Sequence, residues 1–102
     1  MFTFRTRITA GEIYLWGGAG VKSDSDADCV LLLRNDENGE PILFGQRKKI
    51  DGTLGLGTLQ PGESYTINLK GLAGVFATTN TGGGGQQMAD SFVECHIWSP
   101  VR

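Results

Sequence analysis

The sequence predicts an all-β domain, an antiparallel β-sandwich of about seven or eight short strands in a jelly-roll or immunoglobulin-like arrangement, with a small β-barrel as the alternative. Three observations predict it. Apolar and polar residues alternate with period two in segment after segment, as half-buried strands require. Glycine supplies 16 of the 102 residues, about twice the usual share, and is spread as turn punctuation. Nowhere do apolar residues hold helical spacing for about 11 residues or more.

The elements follow in order. In "FTFRTRI", Phe2, Phe4, Thr6 and Ile8 share one face and Thr3, Arg5 and Arg7 the other. "TAG" turns the chain into a second short strand, "EIYLW". There Tyr14 and Trp16 are expected to oppose the core candidates Ile13 and Leu15. "DCVLLLR" is apolar on both faces, which predicts a central strand with a second layer or a subunit beyond it. "NDENGE" is a turn by composition, with Asn38-Gly39 as its hairpin signal. Pro41 is tolerable at the head of the next strand, "ILFGQRK". Glycines 52, 55 and 57 make "IDGTLGLGTL" a turn followed by an irregular or bulged strand. Pro61-Gly62 reads as a type II turn. Beyond it, "SYTINL" places Tyr65, Ile67 and Leu69 on one face. "KGLAGVFATT" leads to a glycine-rich loop over residues 80–91, expected to be flexible. The closing strand "SFVECHIW" sets Val93, Cys95 and Ile97 against Phe92, Glu94, His96 and Trp98.

Length allows one domain, residues 1–102, with one modest core. Nine basic and eleven acidic residues give a net charge of -2. That surface offers no general attraction to nucleic acid or to anionic lipid, so neither is an expected partner. The alternating start lacks an uninterrupted apolar region, which predicts synthesis inside the cell without a secretory signal. In that setting Cys29 and Cys95 are expected as reduced core thiols.

The Gly82-Gly83-Gly84-Gly85 run is followed by Gln86-Gln87-Met88 rather than by Lys and Ser or Thr, so the phosphate-cradling pattern fails. The run reads instead as an adaptable surface excursion, with Gln86 and Gln87 placed to reach a neighbour. Asp24, Asp26 and Asp28 recur at every second position, a weak calcium alternative. Cys29 stands where the calcium loop needs glycine, and Asn35 where it needs a bidentate glutamate, so a solvated acidic loop is the better reading. His96 is the sole histidine and meets no serine or cysteine in a recognisable triad pattern. No cofactor is expected. Tyr14, Trp16, Phe92 and Trp98 are the interaction candidates, because a flat apolar ring with a polar edge suits protein interfaces and sugars alike.

The stretch "LQPGESYTINLKGLAGVFATT" and the closing "DSFVECHIW" resemble the C-terminal half of small structural proteins from tailed-phage virion gene clusters. In those a Pro-Gly turn and an x-I-x-L strand precede a G-V-x-A strand and a final D-x-F-V-x-C strand. The likeness covers residues 59–98 and leaves the first half without a named relative. It implies a non-enzymatic β-sandwich that assembles with copies of itself or on a capsid or tail. The expected function is therefore a structural or interaction module, self-assembling or decorating a larger assembly. A carbohydrate-binding module, with a glycan as partner, and a small enzyme of unknown class are the alternatives.

Overall fold

The structure, a computed structural model, describes residues 2–18, 20–21, 23–26, 28–48, 52–80 and 90–99, without the side chains of residues 52–56. Its strands are β1 (Phe2–Ile8), β2 (Ile13–Gly17), β3 (Val30–Asn35), β4 (Ile42–Lys48), β5 (Gly52–Leu59), β6 (Ser64–Asn68), β7 (Gly74–Thr78) and β8 (Ser91–Trp98). One pairing rule runs along the chain. β1 pairs with β8, β2 with β7, β3 with β6 and β4 with β5, all antiparallel. The chain is thus one long hairpin of paired strands, rolled so that β3 also meets β8 and β4 meets β7. The result is a front sheet ordered β1-β8-β3-β6 and a back sheet ordered β2-β7-β4-β5, a jelly-roll sandwich without barrel closure.

Alternation explains the core. Ile8, Leu31, Leu33, Ile67, Val93 and Cys95 point inward from the front sheet and meet Ile42, Phe44, Leu59, Val75 and Ala77 of the back sheet. Removing each large aliphatic chain from water contributes on the order of 1.5–3 kcal/mol. Four polar residues among those described, Asn35, Thr78, Thr79 and Ser91, are buried as well. Asn35 is fully buried, donates through Nδ2 to the carbonyls of Glu40 (2.8 Å) and Leu59 (3.1 Å), and accepts from Ser91 Oγ at 2.8 Å. It therefore ties the end of β3 to β5 and β8 with its amide satisfied.

The turns show which local signals govern. Gly62 has φ 85°, and Glu63 N–H donates to the Gln60 carbonyl at 3.0 Å, completing the turn expected at Pro61-Gly62. The hairpin reading of Asn38-Gly39 is overturned: β3 and β4 lie in different sheets. No described non-glycine residue has positive φ, whereas the hairpin turn would require it at Asn38. The Asp36 carboxylate instead accepts from Asn38 N–H at 3.1 Å, and its carbonyl from Gly39 N–H at 3.0 Å. An aspartate side chain has taken over the turn and sends the chain across the sandwich.

A second difference lies in β2. Tyr14 pairs with Phe76 but Trp16 with Val75, so Leu15 is an extra residue, a β-bulge. The bulge turns Trp16 to the core side, where it packs against the interior beside the buried Leu15. Tyr14 keeps the expected outer face, its ring 5.7 Å from that of Phe76. β5 is bulged as expected, with an extra residue between Leu54 and Gly57 where β4 has only Gly45 between Phe44 and Gln46.

Candidate interaction surface

The outer face of the front sheet is built from rows that cross its strands. One row runs Arg5, Glu94, Arg34, Ser64, and the next Thr3, His96, Leu32, Thr66. Trp98 and Val30 pair in the row beyond, both half-buried. Phe92 projects on the same face and is 42% exposed. Two of the predicted interaction residues, Phe92 and Trp98, therefore share this face. Tyr14 lies on the outer face of the other sheet and Trp16 against the core. Gln86, Gln87 and most of the 80–91 loop fall outside the described residues.

Polar contacts fix the geometry of this face. Arg5 donates to Asp36 Oδ2 at 3.1 Å while its guanidinium lies 4.6 Å from the centre of the Phe92 ring. Arg7 Nε donates to Asp90 Oδ2 at 2.6 Å, anchoring the approach to β8. Beside Phe92 a pocket of about 210 Å³ opens between Arg5, Arg34, Asp36, Glu37 and Glu94. Glu94 is held below the usual carboxylate range, chiefly by its hydrogen bond with His96 and further by the charges of His96, Arg34 and Arg5.

Thr3, His96 and Glu94 form a hydroxyl–imidazole–carboxylate line. Thr3 Oγ1 lies 3.1 Å from His96 Nδ1, and His96 Nε2 lies 2.9 Å from Glu94 Oε1. The pocket takes in Glu94 but neither Thr3 nor His96. The imidazole therefore lies on a sheet face outside the concave space where a substrate would be enclosed.

The other predicted features are separate from this face. Asp24, Asp26 and Asp28 lie in the β2–β3 connection, and among the described residues no group of three or more His, Cys, Asp or Glu is arranged to hold a metal. Cys29 and Cys95 are unbridged. Burial, with the nearby Glu94 charge, pushes the Cys95 thiol up to about 12. The half-buried Cys29 has its sulfur 3.5 Å from Ser99 Oγ. No helix among the described residues is long and apolar enough to cross a membrane.

Two further aromatics, beyond those the sequence points to, are exposed. Phe2 is 62% and Tyr65 48% exposed. Both stand in core-facing positions of the alternation, which is why sequence patterning assigns them inward. They lie on β1 and β6, the two outer strands of the front sheet, where the sandwich flank is open. Phe2 packs on Phe4 with ring centres 5.4 Å apart, and Tyr65 on Phe44 at 5.0 Å.

No protein-family model and no curated protein matches the chain. Among solved structures it is similar to a protein of the Bacillus endospore appendages, described as forming "a novel family of disulfide-linked pili". The TM-score is 0.58 at 11% sequence identity, over 94% of this chain and 80% of that one. At that identity the likeness concerns the fold.

Proposed function

We propose that this protein is a non-enzymatic building block that associates with copies of itself or attaches to a larger protein assembly. The observation that carries the reading is that the three most exposed aromatics among the described residues all belong to the front sheet, Phe92 on its outer face and Phe2 and Tyr65 at its two open flanks. Rings left in water around a polar face favour a partner that covers them. The jelly-roll likeness to a pilus protein supports an assembly role of this kind. The virion setting, with synthesis inside the cell before incorporation, rests on the sequence resemblance over residues 59–98. Sedimentation velocity across micromolar concentrations tests the self-associating form, which requires species larger than the 10.9 kDa chain. A strict monomer throughout would overturn it.

A second reading has its own observation. The pocket beside Phe92 combines an aromatic ring with arginine and carboxylate side chains, the usual equipment for holding sugar hydroxyls. Binding on a glycan array, lost in Phe92→Ala, would favour a carbohydrate-binding module. An array without hits would remove it.

A further inference from the structure

The two outer strands of the front sheet each carry an unfinished hydrogen-bond ladder. Leu69 N–H donates to the Cys29 carbonyl and Asn35 N–H to the Glu63 carbonyl, both at 2.9 Å. Odd-numbered residues of β6 therefore face β3, and alternation turns the backbone groups of Ser64, Thr66 and Asn68 toward the open flank. At the other edge Asp36 N–H donates to the Phe92 carbonyl at 3.0 Å, so even-numbered residues of β8 face β3 and odd-numbered ones face β1. Through the β1–β8 register, Thr3, Arg5 and Arg7 turn their backbone groups away from the sheet. Among the described residues no backbone group pairs with either set.

The charged side chains on these two edges are Arg5 and Arg7 of β1, and each is engaged by a carboxylate, Asp36 or Asp90. The ladders of β1 and β6 are continuous, without a bulge, and neither strand contains proline or lysine. The outer strands of the back sheet, β2 and β5, are both bulged, a device that spoils an edge as a template. Strand directions alternate across the front sheet, so β1 and β6 run opposite ways.

We propose that β6 of one copy pairs antiparallel with β1 of the next, continuing the front sheet from copy to copy. This inference rests on the self-associating form of the proposed function and names its surface. The row Thr3–His96–Leu32–Thr66 continues from Thr66 to Thr3 of the next copy, and the row ending in Ser64 continues to its Arg5. Both members of each new pair already point their backbone groups outward. In the same register Tyr65 lies opposite Phe4, and Ile67 opposite Phe2, on the core-facing side. Tyr65 and Phe2 are thereby covered by cross-strand neighbours of matching character. The contact joins two different surfaces, so it propagates rather than closing as a dimer, and the sheet's twist turns each copy relative to the last.

The test compares wild type, Thr66→Pro and Thr66→Val by sedimentation velocity, with circular dichroism to check the fold. Proline at 66 deletes an N–H that makes no bond within the copy, so the edge strand tolerates it while the next copy loses its partner. Wild type and Thr66→Val are expected to associate alike, and Thr66→Pro about tenfold or more weakly. Equal association of Thr66→Pro and wild type would overturn edge pairing and leave self-assembly standing, whereas a monomeric wild type would overturn both. A cross-link keeps the test sharp if the proline variant fails to fold. Thr3→Cys and Thr66→Cys proteins, each also carrying Cys29→Ser, are mixed and oxidised. Paired residues at about 5.5 Å between Cα atoms are within disulfide reach, so the mixture yields a mixed dimer and neither variant alone does. Its absence from an associating mixture would overturn the pairing.

Discussion

The two sheets share a core but end differently. In the back sheet both outer strands are bulged, and on the described part of its outer face Phe76 is only 4% exposed, with Tyr14 packed against it. The front sheet has regular outer strands, exposed rings at both flanks, and an outer face that mixes Phe92, Leu32 and Trp98 with Arg5, Arg34 and Glu94. A sandwich needs only its inner faces to fold. The proposed association with other copies draws on this difference, and in that proposal the front sheet is the surface that meets them.

The sharpest test of that division uses neighbouring leucines on opposite faces of β3. Leu33 is fully buried in the core, whereas Leu32 lies half-buried on the outer face. Leu33→Ala should destabilise the protein by about 3 kcal/mol, from lost burial plus the cavity left behind. Leu32→Ala should cost about 1 kcal/mol or less in an isolated copy, because little is packed over it. Urea unfolding at low protein concentration measures both. Equal losses would mean that the outer face is packed as tightly as the interior, and the front sheet would no longer be the open one.

Much of this fold was legible in the residues, and what was not has a physical reason. Period-two runs locate β1, β6 and β8 because burial on one face writes itself directly into side-chain choice. The bulge in β2 left no mark, since "EIYLW" carries neither glycine nor proline at the extra residue and its alternation looks unbroken. Unbroken alternation therefore points Trp16 to the outer face, and the bulge turns it to the core. Asn38-Gly39 misled for a related reason: a dipeptide signals a turn, but the Asp36 side chain decided which kind. Phe2 and Tyr65 were hidden by their strands' places in the sheet, because an inward position is covered in a central strand and open in an edge one. Strand order depends on contacts distant in sequence, and a local pattern does not encode it.

The closed character of the back sheet is tested next, with a moderate effect. A side-chain carbon added at Gly74 would approach the Tyr14 ring at 2.9 Å and Gly18 N at 3.2 Å, in a fully covered site. Gly74→Ala should therefore cost about 2 kcal/mol by displacing Tyr14 from the sheet. Gly18→Ala, where an added carbon meets nothing within 4 Å, should stay within about 0.5 kcal/mol of wild type. Thermal melts compare the pair. If Gly74→Ala were as benign as Gly18→Ala, Tyr14 would be a loose cover, and the back sheet would be open to a partner as well.

The smallest effect belongs to the polar side of the comparison, on the outer face of the front sheet. The Glu94 carboxyl is depressed below its ordinary 4.5 chiefly because His96 hydrogen-bonds to the charged form. A carboxylate whose folded value lies below its unfolded one adds stability that is present above the unfolded value and is lost as pH falls through the folded one. The dependence thus falls in acid, below about pH 4.5, and is weak because the group lies in solvent. Removing the imidazole with His96→Ala should raise the Glu94 value toward 4.5, with Arg34 and Arg5 still holding part of the shift. Carbon-detected NMR titration of the Glu94 carboxyl reads this directly. Thr3→Val, which removes the hydroxyl on the far side of His96 but leaves the imidazole and its bond to Glu94, should move the value far less. Equal movement in both variants would mean that Thr3 orients the ring. The hydroxyl–imidazole–carboxylate line would then be one coupled unit, and not a pair of independent surface contacts.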